Sequence, residues 1–133
     1  MIVVDTNIIA YFYIQSEFSE LVESTIRKDF HWSAPLLWRS EFRNVLTACI
    51  RKKMLSLGDA SEIMAEAELL MRGNEYSVTS STVLHLVYRS DCSAYDCEFV
   101  ALAQDLQAPL ITMDKKILKN FPDTALSLRD FVD

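Results

Sequence analysis

Met1-Ile2-Val3-Val4-Asp5 sets three consecutive β-branched residues directly before an acid. Such a run, apolar without alternation, reads as a short strand buried on both faces, as strands of a parallel sheet are. The pattern returns at Leu110-Ile111-Thr112-Met113-Asp114, again a short apolar run ending in an acid. Further strand candidates are Phe30 to Ser33, Tyr76 to Val78 and Ala125 to Leu128. Helical patterning fills the gaps: Glu17 to Lys28, Pro35 to Lys53, Asp59 to Arg72 with Gly73 as the stop, Thr82 to Tyr88, and Ala94 to Leu106. Alternation of this kind with short connections predicts an α/β fold: one domain over residues 1–133, with a central, mainly parallel five-stranded sheet flanked by helices.

Composition narrows the class. The chain has 133 residues, 50% of them hydrophobic and 24% charged, with only two Gly and three Pro. That excludes a multidomain enzyme, a disordered linker, a collagen-like repeat and a Gly-rich phosphate cradle. The formal net charge of −6 excludes a protein that coats nucleic acid nonspecifically, which needs a broad basic surface. It leaves room for a nuclease whose acids are its active site. No basic leader and no long apolar stretch follows Met1, so the expectation is a cytoplasmic protein without a membrane segment. Cys49, Cys92 and Cys97 lack zinc or redox spacing and read as free thiols.

In a parallel sheet, ligands bind beyond the carboxyl ends of the strands. Asp5 and Asp114 both fall there. Each acid by itself is equally readable as a helix N-cap. The helix over Pro35–Lys53 carries a sharper anomaly. Its apolar arc holds Leu37, Trp38, Phe42, Val45, Leu46, Ala48 and Cys49, and Glu41 projects between Ala48 and Val45, about 40° from the latter. In the helix over Ala94–Leu106, Asp96 projects between Ala103 and Val100 of an arc that also holds Tyr95, Phe99 and Leu106. Ser93 and Asp96 also fit a capping box, as do Ser56 and Asp59 ahead of an ordinary amphipathic helix. An inward carboxylate needs compensation by a cation, a hydrogen bond or a proton. Four acids converging on one crevice, with no Cys or His among them, make a site for Mg2+ or Mn2+, and the chemistry such a site performs on a phosphodiester is hydrolysis.

Four segments now resemble a known family. Val3-Val4-Asp5-Thr6-Asn7, Ser40-Glu41-Phe42-Arg43-Asn44-Val45-Leu46, Ser93-Ala94-Tyr95-Asp96 followed by Val100-Ala101-Leu102-Ala103, and Ala108-Pro109-Leu110-Ile111-Thr112-Met113-Asp114 are similar, in order and spacing, to the PIN domain, and in particular to the short VapC-like toxins. The resemblance implies a metal-dependent ribonuclease with Asp5, Glu41, Asp96 and Asp114 as its acidic quartet and Thr6 or Asn7 orienting Asp5 or a water. It also implies a cognate antitoxin and a homodimer as partners. Two departures from the family pattern are Cys97 after the third acid and Arg51-Lys52-Lys53-Met54 closing the second long helix; neither removes an acid.

RNA needs cations near the acids, and Arg39, Arg43, Lys115, Lys116 and Lys119 are the candidates for a basic rim. His31 and His85 read as structural or exposed, and Asp91, Glu98 and Asp105 as solvated charges. The apolar cluster Ile8 to Ile14 reads as a contact surface, with Phe12 and Trp38 assigned to the core or an interface. Two alternatives stand beside the nuclease: a catalytically silent PIN-fold platform, and a Mg-binding phosphoacceptor receiver domain. The latter wants a further acid pair, where this first strand ends in a single Asp5.

Overall fold

Five strands and eight helices alternate in the computed structural model, which describes all 133 residues. In chain order they are β1 (Ile2–Val4), α1 (Thr6–Tyr13), α2 (Ser19–Lys28), β2 (Trp32–Pro35), α3 (Leu37–Arg51), α4 (Leu57–Leu70), β3 (Glu75–Tyr76), α5 (Ser80–Tyr88), α6 (Ala94–Leu106), β4 (Leu110–Ile111), α7 (Lys115–Asn120), β5 (Ala125–Leu126) and α8 (Leu128–Val132). The sheet runs β3-β2-β1-β4-β5 and every pairing is parallel. Ile2 pairs with Trp32, and Val4 with Ile111, so β1 lies at the centre and all three of its residues are buried. From β1 the chain winds outward through β2 and β3 and then returns to the other side for β4 and β5. The order therefore reverses between β1 and β4, which places a crevice beyond their carboxyl ends.

The expected α/β layering holds, with an entirely parallel sheet. Three helices lie outside the five expected: α1, α7, which Asp114 caps, and α8. The Ile8–Ile14 stretch is no free surface: it forms most of α1, with Asp5 as N-cap and Thr6, Ile8, Ile9 and Ala10 buried. Its aromatics are packed as well, the Phe12 ring meeting Trp32 edge-on at 5.6 Å. At the other end, Ser127 accepts a hydrogen bond from the Asp130 N–H and starts α8, which lies against α2. There Lys28 donates to the Phe131 carbonyl and sits 4.7 Å from that ring.

β2 begins two residues later than expected, because Asp29 organises a turn ahead of it. The Asp29 carboxylate accepts the His31 N–H at 2.8 Å and binds the N-terminal ammonium at 2.6 Å. His31 thus precedes the strand, and its ring meets Asn74. Fully buried Trp32, Trp38, Phe42 and Phe99 dominate the core, each worth about 1.5–3 kcal/mol for its burial. On α3 the buried stripe is Trp38, Phe42, Leu46 and Cys49, while Ala48 is exposed. Glu41 therefore sits at the edge of the buried face and not within it. On α6 the middle of the helix is buried throughout from Phe99 to Ala103, and Tyr95, assigned to the apolar arc, is exposed instead.

Candidate active site

Asp5 directly follows β1 and starts α1; Asp114 follows β4 by three residues and starts α7. Both are N-caps as well as strand-end acids, so the two readings of each residue describe one position. The Asp114 Oδ1 accepts the Lys116 and Ile117 N–H groups at 2.9 and 3.0 Å, which leaves its second oxygen without a protein donor. Glu41 comes from the N-terminal half of α3 and Asp96 from the first turn of α6. These four acids, with Thr6, Asn7, Asn44 and Val45, line one pocket of about 250 Å3. Of the sequence-derived candidates, all four acids, Thr6 and Asn7 are brought together. His31 and His85 are not.

Two buried hydroxyls set the geometry. Thr6 donates to Glu41 Oε1 at 2.7 Å, and its backbone N–H donates to Asp5 Oδ1 at 2.8 Å. Thr6 thus orients Glu41 through its side chain and Asp5 through its main chain, and of the possible compensations for an inward Glu41 it supplies the hydrogen bond. Thr112, fully buried, donates to Asp5 Oδ2 at 2.7 Å and accepts the Asp114 N–H at 3.0 Å. It ties the two strand-end acids together. Sequence reasoning missed it, although a Thr in an apolar strand two residues before an acid was the available signal. Asn44, one turn beyond Glu41, was likewise passed over.

Electrostatically the pocket is under load. Burial above all, with the charges of Glu41 and Asp96 adding, pushes the Asp5 carboxyl up to about 6 against the bonds from Thr112 and Thr6. Burial, followed by Asp96, also raises Glu41. Glu98 departs from expectation: it is half-buried and raised by burial and by the Glu41 charge, so it is not a freely solvated acid. Asp91 and Asp105 are exposed, as expected. The carboxylates share the pocket without closing on one another, and no three His, Cys, Asp or Glu side chains form a ready-made metal centre. An all-oxygen donor set with surplus negative charge and no Lys or Arg in the lining fits a hard divalent cation.

The cationic candidates divide. Arg43, Lys115, Lys116 and Lys119 are exposed and engage no acid in an ion pair. Arg39 is committed elsewhere: its Nε and Nη2 donate to the Glu75 carboxylate at 2.6 and 2.8 Å and its Nη1 to Glu68 at 3.0 Å. Trp38 donates to the same Glu75, at 2.8 Å, so Arg39 fastens α3 to α4 and β3. Arg39→Met is therefore expected to act on stability. Leaving Glu75, 12% exposed, with one partner fewer costs about 1–3 kcal/mol, read as a lower urea midpoint. The three cysteines are all buried and free, and burial pushes the Cys92 thiol up to about 11, the behaviour of inert packing groups.

The sequence profile of the PIN domain matches residues 2–123. A ribonuclease named VapC3 from Pyrobaculum aerophilum is 26% identical over 124 residues, which cover 91% of this chain and 95% of that protein. Among solved structures, PAE2754 of Pyrobaculum aerophilum superposes with a TM-score of 0.77 at 15% identity, over 98% of this chain and 92% of the other. A toxin–antitoxin complex from Klebsiella pneumoniae superposes with a TM-score of 0.72 at 14% identity, over 96% and 98%. At those identities the superpositions report the fold.

Proposed function

Because the chain belongs to the PIN domain family, we propose that it is a ribonuclease that depends on Mg2+ or Mn2+, and the toxin of a toxin–antitoxin pair. The observation that carries this reading is the convergence of Asp5, Glu41, Asp96 and Asp114 on one pocket at the reversal point of a parallel sheet. The phosphoacceptor alternative falls away with the family assignment. The name of the VapC3 relative supports RNA as substrate, and the Klebsiella complex supports an antitoxin as partner. A second copy of the chain is a further proposed partner. Residues 1–133 act as one domain in this proposal, and the proposed setting is the cytoplasm. No helix is long and apolar enough to cross a membrane.

Asp5, Asp96 and Asp114 would hold the cation, with Glu41 as a further ligand or as the group that orients water. When bound, the cation supplies charge screening, an activated water and stabilisation of the departing 3′ oxygen. The protein's own residues prepare the site. Thr112 and the Thr6 N–H hold both Asp5 oxygens, and each oxygen keeps a further lone pair as an acceptor. Thr6 occupies Oε1 of Glu41 and leaves Oε2 to orient a water. Asn7 and Asn44, exposed at the pocket mouth, offer amide donors to phosphate oxygens, and Arg43, Lys115, Lys116 and Lys119 are the proposed basic rim.

The test is cleavage of a mixed RNA pool by the purified chain. Cleavage is expected with Mg2+ or Mn2+, is expected to stop with EDTA, and returns when the cation is restored in excess. Cleavage that persists in EDTA after dialysis would sink the metal-carboxylate reading.

A further inference from the structure

A second, apolar concavity shares no residue with the acid pocket but is linked to it through Glu98, which lies two residues beyond Asp96 and feels the Glu41 charge. Leu36, Tyr76, Val78, Val83, Leu84 and Glu98 are among the residues that line this groove of about 470 Å3, within the roughly 300–1,000 Å3 of small-ligand sites. Leu36 and Leu84 are 49% and 63% exposed, so an occupant would bury much apolar surface. β3, the segment after it and α5 form most of the groove, and its remaining wall is the start of the two helices that carry Glu41 and Asp96. Leu36 directly precedes α3 with its Glu41, and Glu98 follows Asp96 by two residues on α6. Ser77 and Ser80 also line it, and the lining side chain that is charged at neutral pH when ionised is the half-buried carboxylate of Glu98, to which no protein group donates a hydrogen bond.

We propose that this groove is a nucleobase subsite next to the scissile phosphate, and that Glu98 makes it select guanine. The inference rests on the ribonuclease reading and deepens it. A carboxylate here repels phosphate, so the occupant that fits is a base: a flat apolar face for Leu36, Val83 and Leu84, and an edge carrying N–H donors for Glu98. Guanine alone places two adjacent donors, N1–H and N2–H, where both oxygens of one carboxylate accept them. Adenine and cytosine set an acceptor ring nitrogen beside their single amino group, and uracil flanks its one N–H with carbonyls. A bidentate pair of this kind discriminates by about tenfold or more.

Two measurements test the proposal. Sequencing the ends produced from a randomised RNA pool is expected to show guanine enriched about tenfold at one fixed position beside the cut, and Glu98→Gln is expected to remove that enrichment. The enrichment is a ratio within one sample, so a general loss of activity or folding does not imitate the effect. Independently of cleavage, 5′-GMP titrated in EDTA is expected to shift the NMR resonances of Val83 and Leu84 at about tenfold lower concentration than AMP, CMP or UMP, a preference lost in Glu98→Gln. If RNA is not cut but the GMP preference stands, the ribonuclease reading fails and the guanine subsite survives. If RNA is cut with no base enrichment, or Glu98→Gln keeps the enrichment, the subsite is overturned and the ribonuclease reading survives. A Leu84→Asp chain that changes from dimer to monomer in sedimentation while keeping its base enrichment also overturns it, and makes the groove a contact between copies.

Discussion

Asp96→Asn is expected to slow RNA cleavage by about a hundredfold to a thousandfold, the several kcal/mol that a carboxylate ligand of a catalytic cation contributes, while the fold is retained. The residue has an observed role as a cap and a proposed one as a cation ligand, and this substitution separates them. As the third residue of α6 it completes a capping box: its N–H donates to the Ser93 hydroxyl at 3.0 Å, and its carboxylate accepts the Ser93 N–H at a long 3.4 Å. An Asn keeps the first bond and an acceptor oxygen for the second, so the box survives and only the charge goes. Ser93→Ala does the reverse, removing the cap at a cost of about 1 kcal/mol and leaving the carboxylate in place. The expected pattern is an inactive Asp96→Asn with a nearly unchanged melting temperature, beside an active but less stable Ser93→Ala. Full activity in Asp96→Asn, or activity that tracks melting temperature across both variants, assigns Asp96 to the cap alone.

That duality explains what could be read in advance. β1 and α6 have their expected bounds, because a β-branched run ended by an acid and a Ser-x-x-Asp box are local signals that the tertiary structure does not contradict. α1 was not legible: Ile8, Ile9, Tyr11, Phe12 and Tyr13 are β-branched or aromatic, and a helix of eight residues has little propensity of its own. Packing makes it a helix, with Ile8 and Ile9 driven fully into the core and Asp5 capping the turn. Glu41 was found from a helical projection that placed it too deep, because Ala48, small and exposed, had been counted as core. The pairing of the acids with Thr6 and Thr112 was out of reach for a different reason. Thr112 meets Asp5 across 107 positions of sequence, and only the β1–β4 register of Val4 opposite Ile111 brings them together. Arg39 and Glu98 were misread by the same measure: adjacency to an acid, or position on a polar arc, does not report which neighbour a long side chain meets.

Asp5→Asn is expected to be inactive and, in EDTA, more stable than the parent chain. The raised Asp5 carboxyl, at about 6 against 3.8, means that the folded chain binds this proton more tightly than the unfolded one does. By linkage, the folded state loses stability as pH rises through the window from about 4 to 6, and above it carries the full burden of a buried carboxylate among like charges. Two pH units correspond to about 3 kcal/mol, less whatever the bonds of an ionised Asp5 to Thr112 and Thr6 return when replaced by those of an amide. An Asn oxygen can still accept the Thr6 N–H and its amide can donate to the Thr112 oxygen, but the Thr112 O–H then loses the acceptor that Asp5 gave it, which returns part of the gain. The gain expected from urea unfolding at pH 8 is therefore about 1–3 kcal/mol, shrinking to nothing near pH 4, where the parent carboxyl is protonated when folded. Added Mn2+ reverses the order: it binds the folded parent and raises its midpoint with cation concentration, by mass action, while the variant responds little. A variant that is less stable than the parent at pH 8 in EDTA, or whose advantage does not vary with pH between 4 and 8, shows that Asp5 is held by its hydrogen bonds and not loaded by its surroundings. In that case the pocket stores no electrostatic strain for a cation to relieve.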